Sequence, residues 1–377
     1  MRKFVIFMMA LGTALLLSGC SYPQTEYLSI TQHDEQYDID ESNNALVVDN
    51  FMGLKNAIAS FVEKHDTYGI IRVYNYADGD VPADLETAIY DVCRNDPMGV
   101  YAVDYMTHDC SMITSYYEIH IYTTFKKTAE EVASVIRLGG MSGLRSPMTE
   151  ALSETKDTFV VRVSAYTPID YYTLALECYR NAPVGIVCIP QITASVYPNN
   201  GAQRVIEFKL DYGIDMQERK ERQRVVKGAL EVLTQLLRTE RVSVPARICT
   251  ELGRIVADKT QTDEALLYDL LCGTTYSDES LVLAFEQLCK LANLDSQVIW
   301  GLKNGKSYCW NLVVLDNVWY HLDTAAAVHG GSSVLCLDND MIGYDWDKNT
   351  YPSCNGEPVR EVDPLEILRN MQSGNAN

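Results

Sequence analysis

The chain has 377 residues, of which 47% are hydrophobic and 22% charged, with a formal net charge of -20. That length exceeds one ordinary core and predicts two or three domains, while the apolar fraction excludes wholesale disorder. Acidic residues number 51 against 31 basic ones, which excludes the footprint of a nucleic-acid binder and disfavours polyphosphate or anionic-lipid surfaces as partners.

Met1-Arg2-Lys3 is a short basic start, and the apolar run from Phe4 to Leu17 has the length of a secretion-signal core. It is shorter than the roughly 20 residues that a spanning helix needs. It closes in Leu17-Ser18-Gly19-Cys20, which resembles the lipobox of bacterial lipoproteins. The resemblance implies removal of residues 1–19, a diacylglyceryl group on the Cys20 thiol and a chain anchored in the cell membrane on its extracytoplasmic side. Two acyl chains suffice for stable anchoring where one is marginal. Residues 20–50 are polar, acidic and without sustained periodicity, so they are expected to form a flexible tether. The ten later cysteines show no CxxC pair and no zinc-ligand spacing; neither a metal nor a cofactor is expected.

An internal repeat follows. Asp66-Thr67-Tyr68-Gly69-Ile70-Ile71-Arg72-Val73 matches Asp157-Thr158-Phe159-Val160-Val161-Arg162-Val163. Arg94-Asn95-Asp96-Pro97-Met98-Gly99 then matches Arg180-Asn181-Ala182-Pro183-Val184-Gly185. Agreement in order and spacing marks a duplication. Each copy reads as helix, strand, helix, strand, strand, helix. The second helix is expected over 84–93 in one copy and 170–178 in the other, each just after a proline. Strands are expected over 101–105 and 117–125, and over 184–189 and 204–210. Two small α+β modules are thus predicted, over 51–138 and 139–238. The repeated Pro and Gly are expected to shape a turn, with Arg72 and Arg162 facing solvent. Tyrosine is plentiful, 24 against 8 Phe, and can supply amphipathic contact surface.

Met216 to Arg238 carries Val226, Leu230, Leu233 and Leu237 on one stripe and predicts a long helix. Ile248, Leu252, Ile255 and Val256 mark a helix after Pro245, and a second follows Thr262-Asp263-Glu264. A third is expected from about Glu279 to Ala292. Asn304-Gly305 and Asp316-Asn317 are turn signals that predict a three-stranded meander ending near Asp323.

Three stretches of this region resemble the transglutaminase-like domains of bacterial secreted proteins, a papain-like superfamily. Tyr268 to Leu294 resembles the approach to the family's nucleophile and the helix behind it. Tyr308-Cys309-Trp310-Asn311 resembles His-Ala-Trp-Asn, and Val318-Trp319-Tyr320-His321-Leu322-Asp323 resembles Trp-Tyr-His-Val-Asp. The resemblance covers roughly 245–330 and implies that 239–377 forms such a domain, a helix packed on an antiparallel sheet. Active members use a Cys at a helix N-terminus, a His base and an Asp that orients it. At the matched positions stand Asp278, Tyr308 and Asp323, so only the third member is kept.

Closing Leu315 against Val318 places Trp310 opposite Asp323, with Tyr308 diagonally adjacent, and turns Cys309 to the other face. A carboxylate nucleophile would have to form an acyl anhydride, and a tyrosine, with a reference pKa near 10, is a poor base. Asp278 also suits a helix N-cap, and His321 lies too close along the strand to pair directly with Asp323. The expected protein is a membrane-anchored, extracytoplasmic lipoprotein whose degenerate, non-catalytic domain binds through a cleft lined by Asp278, Tyr308, Trp310 and Asp323. A cell-wall peptide, a glycan or a surface protein would be the partner. One alternative is a cell-envelope hydrolase or acyl-transfer enzyme using non-standard residues, such as an Asp278–Asp323 acid/base pair acting on glycans. Another is a purely architectural domain that displays the two repeats.

Overall fold

The computed structural model describes residues 38–40, 45–76, 79–237, 241–330 and 335–356. The signal segment, Cys20 and the tether before residue 38 lie outside the described residues. Among the described residues no helix is long and apolar enough to cross a membrane. The chain is α+β and folds as two compact units. One holds the described residues up to Cys178 together with Pro190–Asp211; the other holds Tyr179–Ile189 and the described residues from Tyr212 onward.

The first unit contains two modules of one topology. In the first module, strands Asp38–Asp40 (β1), Ala45–Val48 (β2), Tyr68–Tyr74 (β3), Val103–Ile113 (β4) and Tyr116–Phe125 (β5) form a sheet in the order β1-β2-β3-β5-β4. Helices Phe51–Lys64 (α1), Val81–Arg94 (α2) and Pro97–Ala102 (α3) accompany it. A short helix, Ala129–Ala133 (α4), leads to the second module. There, Ile136–Gly140 (β6), Thr158–Ala165 (β7), Gln191–Tyr197 (β8) and Arg204–Asp211 (β9) form a sheet in the order β6-β7-β9-β8, with helices Arg145–Ser153 (α5) and Tyr171–Asn181 (α6). β2 runs parallel to β3 and β6 runs parallel to β7, and the remaining pairs of both sheets are antiparallel. Local chemistry sets the boundaries. Asn50 caps α1 by accepting from the Gly53 N–H at 2.8 Å, and His65 closes it in the left-handed region at φ 58°.

Apart from β1, the two modules share a strand order, and each opens on a strand that the sequence did not signal. Ala45, Leu46 and Val48 are 0%, 4% and 2% exposed, so the tether does not extend to residue 50. Four consecutive apolar residues offer no alternation, and β6 ends in two glycines that resemble a loop. Residues 184–189, expected as a strand, form none; the strand is β8. Tyr101, expected on a strand, lies in α3. The two strand arginines do not point freely into solvent. Arg72 donates to Glu118 at 3.1 Å, and Arg162 donates to Glu63 at 2.6 Å with Asp96 at 3.9 Å. The Pro-x-Gly element is structural in the first copy: Asp96 accepts from the Met98 and Gly99 N–H groups, each at 2.9 Å. A Cβ on Gly99 would lie 1.8 Å from the Val92 carbonyl oxygen, so only glycine lets α3 close on α2.

The second unit packs helices Met216–Leu236 (α7), Val244–Val256 (α8), Leu267–Cys272 (α9) and Asp278–Leu291 (α10) against a sheet. Two-residue strands Thr260–Gln261 (β10) and Thr275–Tyr276 (β11) pair before α10. The sheet comprises Ser296–Lys303 (β12), Lys306–Leu315 (β13), Val318–Leu322 (β14) and Tyr344–Asp345 (β15), in the order β14-β13-β12-β15; helix Thr324–Val328 (α11) follows β14. Asn304, Gly305, Asp316 and Asn317 all have positive φ, which gives two tight hairpins and the expected Leu315–Val318 closure. The boundary expected at 238/239 falls inside this unit. The α7 residues Val226 and Leu230, with Leu237 just beyond the helix, join its core, as does Val187. The Tyr179 hydroxyl accepts from the Leu267 N–H at 2.8 Å.

Candidate functional site

Helix α10 starts at Asp278. Its cap is Ser277 and not Asp278: Ser277 Oγ accepts from the Ser280 N–H, and Ser280 Oγ accepts from the Ser277 N–H, both at 2.9 Å. Both residues can cap, and the reciprocal serine pair selects the first. The Asp278 carboxylate is left to other partners. It accepts from Gln261 Nε2 at 2.9 Å and lies 3.2 Å from His329 Nε2, at about one-third exposure. The neighbouring Glu279 takes both guanidinium arms of Arg180, at 3.0 and 2.9 Å, while that guanidinium lies over the Trp300 ring. The arginine of the second repeat motif thus serves the second unit, a role that Arg94 does not share.

Strand alternation divides β13 between two surroundings. Asn311 donates to the Val282 carbonyl of α10 at 3.0 Å and accepts from Thr324 Oγ1. Trp310 belongs to a separate cluster with Ile299, Leu312 and Met341. Its ring needs Gly301, where a Cβ would come within 2.8 Å of the indole. Tyr308 meets Asp323 as the register predicts, its hydroxyl donating to Oδ1 at 2.9 Å. Trp310, expected in an open cleft, is 0% exposed, and its indole N–H donates to His321 Nδ1 at 3.0 Å. It is a core residue.

Asp323 is fully engaged. Besides Tyr308 it accepts from Lys303 Nζ at 2.7 Å, from the Tyr344 hydroxyl, and from the Ala326 N–H at 2.9 Å as the cap of α11. The Lys303 ammonium also lies 4.5 and 5.0 Å from the ring centroids of Tyr308 and Tyr344. Burial raises the Asp323 carboxyl, but Lys303, Tyr344 and the Ala326 N–H outweigh it and hold the group below the usual carboxylate range. Asp323 is therefore not the protonated member of a carboxylate pair. Burial and the adjacent Asp323 carboxylate push the Tyr308 hydroxyl up, so it stays a donor and does not act as a base. Lys303 and Tyr344 carried no signal in the sequence: one precedes a turn, and the other lies in a two-residue strand.

The thiols fare no better as nucleophiles. Cys309 is 5% exposed, and burial pushes its thiol up, with Glu279 adding to the shift. Cys249 and Cys354 are pushed up to about 12 by burial. Cys354 does lie in a Cys/His/Asp cluster, its Sγ within 4.8 Å of ligand atoms on His321 and Asp338. The Trp310 N–H settles what that cluster can do. With Nδ1 accepting from the indole, the neutral ring carries its proton on Nε2, which donates to Asp338 at 2.9 Å. No imidazole lone pair remains for a metal ion or for a thiol proton.

This network gives a pH dependence. Burial lowers the His321 pKa, and Asp338 only partly offsets it. The unfolded chain then takes up a proton near pH 6.5 that the folded chain refuses, so stability falls as pH drops below that value. Unfolding free energies from denaturant titrations are expected to be level above pH 7 and to fall below about pH 6.5, with a slope of up to about 1.4 kcal/mol per pH unit. The His321→Gln variant should lose that slope, and an unchanged slope would assign the titration elsewhere.

No protein-family model matches the chain, and no curated protein matches it in sequence. Among solved structures, one described as a TGase is 9% identical, with a TM-score of 0.26, over 67% of this chain and 75% of that one. Another, from Parabacteroides distasonis and provisionally described as a protease, is 6% identical, with a TM-score of 0.22, over 68% of this chain and 39% of that one. This chain thus spans well under half of the second protein's length. At these scores neither likeness bears on chemistry.

Proposed function

We propose that the chain is a lipid-anchored, extracytoplasmic lipoprotein. Its second unit is a transglutaminase-like domain that has lost acyl-transfer chemistry and serves as an interaction module for a cell-surface peptide, glycan or protein. Three features support the domain reading: the helix followed by an antiparallel meander, the position of Asp278 at the helix start, and the Tyr308–Asp323 hydrogen bond. The lipobox-like Leu17-Ser18-Gly19-Cys20 supports the anchor. The observation that carries the loss of chemistry is the state of Asp323. Its lone pairs are occupied by Tyr308, Lys303, Tyr344 and the Ala326 N–H, so no base can be oriented by it. Lys303 also neutralises the acid that would have attracted a cationic ligand, leaving Asp278 as the more open carboxylate of the site.

One experiment with two arms tests the proposal. The full chain expressed in a bacterial host should fractionate with the membrane, and Cys20→Ser should move it to the soluble fraction. In both forms amide hydrolysis and amine transfer should stay at the blank rate. Turnover that disappears with Asp278→Ala or Cys309→Ala would overturn the non-catalytic reading, and membrane retention of Cys20→Ser would overturn the anchor.

A further inference from the structure

The two modules of the first unit differ in what covers the outward face of the sheet. In the second module, Val160 and Val205 on that face join the core of the first module and are 8% and 0% exposed. Arg137 and Arg162 both reach Glu63 on α1. The corresponding face of the first module, placed by the equivalence of Arg72 and Arg162, consists of cross-strand rows of β3 and β5. Tyr68 stands opposite Tyr122, Ile70 opposite His120, Arg72 opposite Glu118, and Tyr74 opposite Tyr116, with Arg72 and Glu118 ion-paired within the chain at 3.1 Å and their side chains 13% and 23% exposed. Tyr68 and Tyr122 are 48% and 42% exposed, and alternate residues of the adjoining β4 are exposed from Tyr105 to Ile113.

Two comparisons narrow what fits there. First, a further copy of the chain cannot stack its second-module helices on this face in the way the first module's helices cover the second sheet. The carboxylates that receive Arg162, Glu63 and Asp96, correspond to Ser153 and Ala182 in the second module; the matching left-handed residues His65 and Thr155 fix that alignment. Second, the face is self-complementary. A two-fold axis lying between β3 and β5, parallel to the strands, sets each tyrosine row on itself. It also sets Arg72 of one chain over Glu118 of the other, twice.

We propose that this face is an interface with the same face of a second copy, giving a closed two-fold dimer. Three strands about 4.8 Å apart over about 30 Å bury on the order of 1,000 Å² in total, near the lower limit for a specific interface. The dimer is therefore weak. The tyrosines supply contact area at low side-chain entropy cost, and Arg72 balances Glu118 within the face, while Asp109 of β4 leaves the face acidic. The chain's net charge of -20 opposes association, so added salt should tighten the dimer.

Sedimentation of the chain from residue 21 onward, which keeps every described residue, tests this. A concentration-dependent dimer is expected, tightening between about 0.01 and 0.15 M salt. Tyr68→Ala with Tyr122→Ala should weaken it about tenfold or more. Arg72→Glu should weaken it similarly, and Arg72→Glu combined with Glu118→Arg in one chain should restore it. A monomer up to about 1 mM would overturn the proposal and leave the face to another protein or to the residues before 38. Open-ended oligomers, or a dimer indifferent to all of these variants, would overturn it as well.

Discussion

A fragment comprising residues 239–377 is expected not to fold. It contains the whole stretch that resembles a transglutaminase-like domain, yet it lacks four side chains of that unit's core: Val187, Val226, Leu230 and Leu237. At about 1.5–3 kcal/mol each, their burial contributes about 6–12 kcal/mol, comparable with the entire stability of an ordinary domain. The Leu267 N–H would also lose its acceptor, Tyr179. Circular dichroism should show no cooperative melt for the fragment, while the chain from residue 21 onward should melt sharply. A cooperative melt of the fragment near the midpoint of the longer chain would show that the segments before residue 239 are dispensable.

Asp323→Ala is expected to destabilise the second unit by about 3–5 kcal/mol, because it leaves the partly buried Lys303 ammonium without its counter-ion. The same change strips the acceptor from Tyr308 and Tyr344 and uncaps α11. The loss corresponds to a fall of roughly 10 °C in melting midpoint. Asp278→Ala should cost less than about 1 kcal/mol, since its partners lie at the surface and it caps nothing. The order of the two variants is the test. A matched catalytic pair would show little stability cost at either position and a shared loss of turnover. A larger cost at Asp278 than at Asp323 would contradict the geometry described above.

The register of the meander was legible in the sequence because Asn304-Gly305 and Asp316-Asn317 favour two-residue turns, and these fix every cross-strand pair that follows. The register alone therefore sets Tyr308 beside Asp323. What else surrounds Asp323 does not follow from it. Lys303 and Tyr344 are brought in by pairing between β12 and β15, and a two-residue strand carries no periodicity to read. The helix start at Ser277 was missed by one residue because adjacent Ser and Asp are both good caps. The repeat itself concealed the interleaving of the two units. Residues 180–185 match 94–99 in sequence, and nothing local reveals that in one copy this segment packs with a different core.

That interleaving also constrains how the gene can change. Separating the units takes three junctions, after residues 178, 189 and 211. Recombination that swaps a module as one cassette, with a single crossover on either side, would sever one of them from part of its interior. A crossover between residues 179 and 211 thus leaves both units without part of their own chain.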